Sequence, residues 1–502
     1  MIDEVLSPDS IQVGKSFDTK EEATIAVGNI LLENGYIEKE YIDSMLEKLE
    51  KEPEFTYFGN GIAIPHGMLS GLKYIKKSGI SVIQTQDGVD WNGEKAYTVV
   101  GIAGIGEEQI DILGALFDQI EHEEDAKRLH KMDDVNQIYK TLNKIAVHFG
   151  AGNVGRGFIA PLLKENGYRV VFVDSSNDIV EKINNQKEYK VTSYDKESTT
   201  DNLVEKIRAL HTDEDELLKE ILNKASLVTT SVGPNNLPLI ANLLDKHIDT
   251  KVDFIAFENM YRASTYVLEQ KDSLHEKIQE HDVVVDKIIP LQKIENLDLV
   301  VESFGSIVFD QKQYIDKLIE LSEVVSKGDY EKEFTKKLWL LNGLHVCLAY
   351  YGLSKGTEYI HELYEQKEHE GFIKKINSEY LKAYTLYSNQ DIEEVLEYQN
   401  LINLRFSSKK SKDQNIRIAR NPEIKFSKSE RVHGPLKHLI KNGEEVSAMK
   451  EVLQIIFNNE FKEVDGFIDF TKEHLSDGKE NFYSNYWKED KALDKFSSSL
   501  GK

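Results

Sequence analysis

The sequence predicts an α/β protein in three units: a small mixed α/β unit, a parallel α/β unit and a mainly α-helical one. Three observations carry this prediction. At Lys144 to Phe158, KIAVHFGAGNVGRGF runs from an apolar strand through a glycine turn into a helix. Ahead of it, residues 1–143 hold helix caps and short apolar strands of their own. After about Glu331 the chain turns to helix upon helix, rich in Leu, Tyr, Lys and Glu. The expected divisions are therefore 1–143, 144–331 and 332–502.

At 502 residues the chain is too long for one ordinary core. Acidic residues outnumber basic ones by 87 to 62, a net charge of −25, which disfavours nucleic acid and anionic membranes as partners. The start, MIDEVLSPDSIQ, has no basic segment followed by an apolar one, and no stretch reaches the about 18 apolar residues of a membrane span. A cytoplasmic protein without membrane insertion is expected. The single cysteine, Cys347, excludes an internal disulfide and a thiolate-rich zinc site, so core packing is its expected role.

In the first unit, Thr19 and Glu22 form a capping box, an apolar helix follows, and Gly35 closes it. A second helix is expected at about Glu38 to Leu49. A short strand, Ile62 to Ile64, then delivers Pro65 and His66 to a loop flanked by glycines. Strands near Gly79 to Gln84 and Thr98 to Ala103 and a helix from about Glu107 through Ile120 complete a small sheet covered by helices. On the residues alone His66 has two readings. It is a solvated loop histidine, or a nucleophile whose neutral ring nitrogen accepts a phosphoryl group once its tautomer is fixed. Between about Asp125 and Lys144 there is no Pro, Gly or Ser run, so the first two units should touch or be held at limited distance.

In the second unit Gly150, Gly152 and Gly155 have the GxGxxG spacing. Gly150 allows the tight turn, Gly152 lets backbone approach a pyrophosphate, and Gly155 lets helix pack on strand. Asn153 and Arg156 of the same turn are counted with the cofactor-binding residues. Asp174 ends the next strand, RVVFVD, 19 residues after Gly155, where a carboxylate grips an adenosine ribose and repels the 2′-phosphate of NADP. NAD is the expected cofactor. Strands at Ser226 to Gly233 and Asp253 to Asn259 carry the sheet on. Val283 to Pro290 and Leu297 to Asp310 are read as its continuation.

The third unit opens on KKLWLLNGLH. At about 100° per residue, Lys337, Asn342 and His345 fall within an arc of roughly 140° on one helix and can face one cleft. A lysine partly buried beside a cofactor can act as general base toward an alcohol. The bland alternative is a solvated lysine, a helix-face asparagine and a packed histidine. The last residues, about Asp494 to Lys502, read as a frayed tail.

Two resemblances join these readings. The run GNGIAIPHG, with KKSGISVIQ and GIAGIG, resembles the mannitol-type enzyme IIA domains of the bacterial sugar phosphotransferase system over about residues 8 to 142. That resemblance implies His66 as the phosphate-carrying histidine and a phosphotransferase-system phosphate donor as partner. Where those domains have a second histidine this chain has Gln109, and where they have an arginine it has Lys48, so a regulatory remnant stands beside phosphoryl relay. From about residue 144 onward, K-x4-N-x2-H, HFGAGNVGRGF, VTTSVGPN, FENMYR and RFSSKKSKDQNIRIARNP resemble the long-chain polyol-specific dehydrogenases, in particular those acting on mannitol 1-phosphate.

The second resemblance implies a Rossmann-type nucleotide domain and NAD-dependent interconversion of D-mannitol 1-phosphate and D-fructose 6-phosphate. Lys337 is then the acid/base, Asn342 and Asn259 donate to the reacting oxygen, His345 positions that oxygen or the substrate, and no metal is needed. Among Arg262, Arg405, Arg417 and Arg420 the first two rank highest for the substrate phosphate, although RFSSK departs from the family's RFxNP at Arg405. The rivals are a dehydrogenase for an unphosphorylated polyol or a hexuronate, and a phosphocarrier with an inert dehydrogenase half.

Overall fold

The computed structural model describes residues 5–105, 116–117, 122–194, 198–289, 292, 296–315, 318–410, 413–475, 482 and 486–487. Gln109, the helix expected around Glu107 to Ile120 and the tail from Asp494 lie outside the described residues, apart from 116–117. In the N-terminal unit β1 (Ile11–Lys15), β2 (Tyr57–Gly59), β3 (Ile62–Ala63), β4 (Gly79–Trp91) and β5 (Glu94–Ala103) form one sheet in the order β1-β4-β5-β3-β2. β4 and β5 are longer than expected. Asn92 and Gly93, both at positive φ (61° and 93°), make the two-residue turn whose twist matches an antiparallel ladder. One face of the sheet is covered by helix Lys20–Glu33, capped where Thr19 accepts the Glu22 N–H at 3.2 Å. Helix Val135–Asn143 sends Ile138 and Tyr139 into the core on the other face.

That second helix is also the junction. Its cap, Lys144, takes a left-handed conformation (φ 39°), and the next strand begins at once. On its opposite side Lys140 donates to Thr250 Oγ1 (3.0 Å) and to the Lys251 carbonyl in the second unit. One short helix is thus part of the first core and tied to the second body.

The second unit contains β6 (Ile145–Phe149), β7 (Arg169–Asp174), β8 (Glu188–Tyr194), β9 (Thr199–Glu205), β10 (Arg208–His211), β11 (Leu227–Thr230), β12 (Val252–Ala256) and β13 (Ile278–Glu280). Six of these form a wholly parallel sheet, β10-β7-β6-β11-β12-β13. Its strands are apolar on both faces because helices cover both; all of β6 is buried. The remaining strands do not extend this sheet, contrary to the sequence reading. β14 (Val283–Asp286), β16 (Ser306–Asp310) and β17 (Val325–Gly328) form a separate sheet, and β15 (Leu299–Glu302) joins β8 and β9 in another. These small sheets pack their apolar side against the same core as the face of the parallel sheet carrying Ala146 and Phe172.

The C-terminal helices share one core, from Trp339 to Trp487, with Cys347 fully buried in it beside the Tyr380 hydroxyl. They are fastened to the small sheets by Arg405 on helix Ile392–Phe406. Its guanidinium grips both oxygens of Asp286 (2.9 Å each) and both of Glu302 (3.2 and 2.8 Å), and all three residues are under 9% exposed. Removing the guanidinium breaks the buried ion pairs of both carboxylates, which typically costs about 3–5 kcal/mol. Arg405→Met should therefore lower the unfolding free energy of the full chain by an amount of that order, read as a fall in its denaturation midpoint. A midpoint within error of the parent would show that the carboxylates are relieved by something other than Arg405.

Candidate active site

The glycine turn leaves the end of β6 and is shaped by three different steric demands. Gly150 sits at φ 99°, a conformation that suits glycine. A Cβ on Gly155 would collide with the Gly150 carbonyl oxygen and come within 2.6 Å of His148 Nε2, so this glycine serves helix-to-strand packing. Gly152 differs: a Cβ there would meet no protein atom within 4 Å. The protein itself does not require glycine at that position, and space above the turn stays open. Across it, the Asp174 carboxylate at the end of β7 accepts the Ala151 N–H (2.7 Å) and the Ser176 N–H (2.9 Å). One oxygen thereby touches the glycine turn. Asn153 is half-buried in the same turn.

Arg156 is placed differently from the sequence reading. It is fully buried, its Nε donates to the Ala151 carbonyl (2.8 Å) and its Nη1 to the Leu297 carbonyl. Its guanidinium thereby ties the glycine turn to the Leu297 backbone. The residues Gly155–Ile159 that carry it wind as a π turn, as do Lys337–Gly343 in the third unit. Such turns insert a residue into a helix and re-aim the side chains that follow.

A cleft of about 1040 Å³ lies between the loops after β11 and β12, the Lys337 helix and the segment 417–431. It brings Lys337, Asn342 and His345 together, as the spacing suggested, and adds Asn259, which the resemblance implied. Lys337 Nζ donates to Asn259 Oδ1 at 2.8 Å, which fixes the amide so that its NH2 group is left for another acceptor. Lys337 is half-buried in the cleft wall, and desolvation there lowers its ammonium to about 8; Asp286 opposes the shift, Arg431 and Arg405 add to it. Asn342 is half-buried with no protein hydrogen-bond partner among the described residues. Below Asn259, Glu258 accepts the Gly233 N–H at 2.8 Å, and burial pushes its carboxyl up to about 7. It ties the loop after β11 to the loop after β12.

His345 stacks on Phe406 (4.6 Å between centroids), and its Nε2 faces Asp413 at 3.4 Å. Asp413 also receives Arg417 at 2.9 Å. Burial alone would raise the Asp413 carboxyl, but His345 and Arg417 outweigh it and hold it below the usual range. The imidazole thus stands beside a carboxylate that the sequence reading did not single out, although Asp413 lies inside the quoted RFSSKKSKDQN segment.

The two arginines ranked highest for a substrate phosphate are both committed elsewhere. Arg405 is the buried clamp described above. Arg262 does line the cleft, but its guanidinium meets Asp282 and Asp310 (3.1 Å each) and Glu331 (3.0 Å). Arg417 and Arg420 line the cleft, as do Lys425 and Arg431, which the sequence reading passed over. In the first unit His66 Nδ1–H donates to the Ile64 carbonyl at 2.9 Å, leaving Nε2 as the acceptor nitrogen. Burial lowers its pKa, and nearby Lys48 adds to that shift, while Lys48 itself is paired with Glu52.

Comparison with known proteins places this geometry. Residues 144–323 match the family model described as mannitol dehydrogenase Rossmann domain, and residues 330–465 match the mannitol dehydrogenase C-terminal domain. Residues 4–145 match the phosphoenolpyruvate-dependent sugar phosphotransferase system EIIA 2 family. A mannitol-1-phosphate 5-dehydrogenase of Thermoanaerobacter pseudethanolicus is 36% identical over 312 residues, covering 58% of this chain and 80% of that one. A substrate-free D-sorbitol dehydrogenase shares the fold at a TM-score of 0.55 and 16% identity, over 71% of this chain and 91% of that one. A Pseudomonas fluorescens mannitol 2-dehydrogenase, solved with NAD and D-mannitol, does so at 0.52 and 15%, over 71% and 90%. Among the described residues no helix is long and apolar enough to cross a membrane. With a parallel nucleotide-type sheet, a helical unit closing a cleft around Lys337 and an EIIA domain ahead of both, this chain belongs to the mannitol dehydrogenase family.

Proposed function

We propose that the chain, in three domains divided near residues 143 and 331, is an NAD-dependent dehydrogenase interconverting D-mannitol 1-phosphate and D-fructose 6-phosphate. The observation that carries the reading is the 2.8 Å contact of a desolvated Lys337 with Asn259 in the cleft that also holds Asn342. Relatives named for mannitol 1-phosphate supply the substrate class. The open space at Gly152 and the Asp174 carboxylate beside Ala151 fit a dinucleotide whose ribose carries free hydroxyls. Gly150, Gly152, Gly155, Asn153 and Asp174 would hold it, with Arg156 behind them. Bound there, NAD supplies the hydride acceptor and NADH the donor.

The residues of the chain supply the proton chemistry. With its neutral form accessible near pH 8, Lys337 takes the hydroxyl proton from the alcohol, and its ammonium returns that proton to the oxygen during ketone reduction. Asn259 turns its NH2 group away from the lysine it accepts from, and Asn342 has no protein partner. Both can donate to an oxygen that becomes alkoxide-like. His345, set by Asp413 and Phe406, positions the substrate beside them.

NADH oxidation with fructose 6-phosphate tests the reading directly, and absence of turnover would remove it. Lys337→Ala should retain NADH binding and lose at least about 10²-fold in turnover. In the parent enzyme, polyol oxidation should rise with pH through about 8, where the lysine becomes a base, and ketone reduction should fall over the same interval. Flat profiles in both directions would take the proton away from Lys337.

The cofactor assignment has its own check. Gly152→Ala should leave thermal stability unchanged, since no protein atom is displaced, while weakening NADH at least about tenfold by obstructing the turn. Asp174→Ala should narrow the preference for NAD over NADP. Unaltered NADH affinity in both variants would put the dinucleotide elsewhere.

For the EIIA domain we infer a histidine that keeps an acceptor geometry with weakened electrostatic support, acting on the dehydrogenase through the junction helix. Nε2 of His66 is poised, but Lys48 is held by Glu52. Labelling by a phosphotransferase-system donor should be slow and absent in His66→Ala, and His66→Glu should alter dehydrogenase kinetics. Rapid stoichiometric labelling with unaltered kinetics would instead make the domain an independent phosphocarrier.

A further inference from the structure

We propose that Arg262 is a positioning residue of the reaction: it locks the loop that presents Asn259 to the helix that presents Lys337, and thereby sets the contact between those two side chains. This rests on Lys337 as the acid/base, as read above.

The loop between β12 and helix Ala263–Glu269 carries Asn259 and, three residues on, Arg262. Arg262 caps that helix in the left-handed region, at φ 46°. A long side chain seldom adopts this conformation, and it persists only where the surroundings fix it. Here they fix it twice. The Arg262 N–H donates to the Tyr330 hydroxyl at 2.7 Å, and Nη1 donates to Asp282 and to Asp310 at 3.1 Å each. Asp282 is fully buried and supplies the helix cap that the Arg262 side chain does not. Its Oδ1 accepts the N–H groups of Ser264 and Thr265 at 3.1 Å each, and its Oδ2 accepts the Thr265 hydroxyl at 2.7 Å. The chain just after Asn259 is thereby fixed to the sheet side of the cleft.

The other edge of the guanidinium faces the helical unit. Nη2 donates to Glu331 Oε1 at 3.0 Å, which also accepts the Tyr261 hydroxyl at 2.7 Å, and the group lies over the Tyr330 ring at 4.5 Å. Tyr330 and Glu331 open helix Tyr330–Lys336, which runs directly into the π turn beginning at Lys337. The two arms meet again where Lys337 Nζ donates to Asn259 Oδ1 at 2.8 Å. Asn259, Arg262, Glu331 and Lys337 therefore form a closed circuit, with two links along the chain and two between the units. A planar fork with donors on both edges reaches the buried carboxylates and Glu331 at once, whereas an ammonium is a single point of charge. Three carboxylates against one cation leave no positive charge over for an anionic substrate, so the arginine serves the alignment of the site.

The test uses the full chain with Arg262→Lys, Glu331→Ala and Glu331→Gln, each alone and combined with Lys337→Ala. Four quantities are read: kcat and KM for fructose 6-phosphate, NADH binding, and the thermal midpoint. Arg262→Lys should keep NADH binding and lose at least about tenfold in kcat with KM within about twofold, since misplacing reacting groups by about 1 Å can cost about 10²-fold. Glu331→Ala should lose kcat in the same sense, and Glu331→Gln, which still offers an acceptor oxygen, should recover part of it. In the Lys337→Ala background none of the three should lower the residual turnover further, because a residue acting through Lys337 then has nothing left to position. Equal losses in both backgrounds would overturn the inference. So would undiminished kcat in Arg262→Lys and Glu331→Ala beside an impaired Lys337→Ala, and the acid/base reading would then stand alone. Should Arg262→Lys fail to fold, the two Glu331 variants, on a side chain 48% exposed, decide by the same comparison. If Lys337→Ala itself keeps parental turnover, the acid/base reading fails and takes this inference with it.

Discussion

The geometry of the cleft depends on one buried charge cluster, Arg405 between Asp286 and Glu302. The arginine belongs to the helical unit and the carboxylates to the small sheets, so this contact fastens the unit bearing Lys337 to the one bearing the parallel sheet. Buried ion pairs contribute little net stability, since desolvating the charges offsets much of their attraction. Their use is geometric: a guanidinium gripping two carboxylates along both edges tolerates little change of angle. Tyr398, on the same helix as Arg405, adds a hydroxyl to Asp286 at 3.2 Å. The cluster also reaches the chemistry, because Asp286 and Arg405 act on Lys337 in opposite senses while burial sets the direction of its shift.

Two π turns sit where the chemistry is expected, at Gly155–Ile159 and Lys337–Gly343. Regular helical spacing puts Lys337, Asn342 and His345 on one arc, and the extra residue in the turn changes where they aim. Lys337 meets Asn259 across the cleft, whereas His345 turns its Nε2 to Asp413 and lays its ring on Phe406. Periodicity in the sequence gives the shared cleft but not this division. A helix with i→i+5 bonding leaves no mark in composition that distinguishes it from an α-helix.

What was legible was what rests on local sterics. Thr19 with Glu22, and Gly150 and Gly155, each answer to neighbours a few residues away or to a backbone angle, and they stand where the pattern puts them. The Asn92–Gly93 hairpin was equally legible in principle, and its signal was passed over in favour of two shorter strands. The partners of β14, β15 and β16 were not, since an apolar strand reads the same whichever sheet receives it. The arginines show the same limit more sharply. Residue type says that Arg262, Arg405 and Arg420 are cations, but only the fold says that carboxylates distant in sequence neutralise the first two and leave the third.

The chain's net charge of −25 opposes an anionic substrate at long range, yet the Debye length at physiological salt is only about 8 Å. The cations of the cleft therefore act on what has already entered it, which suits selection better than steering. The same screening bears on the EIIA domain. A phosphoryl group on His66 would add about two negative charges, but beyond a Debye length of solvent that charge has little direct reach to the cleft. A mechanical influence on the dehydrogenase is the alternative. The route available is helix Val135–Asn143, which buries Ile138 and Tyr139 in the first core, holds Thr250 and Lys251 through Lys140, and passes at Lys144 straight into β6. β6 ends in the glycine turn, so a shift of that helix would be felt first where the dinucleotide is expected, before it reached Lys337.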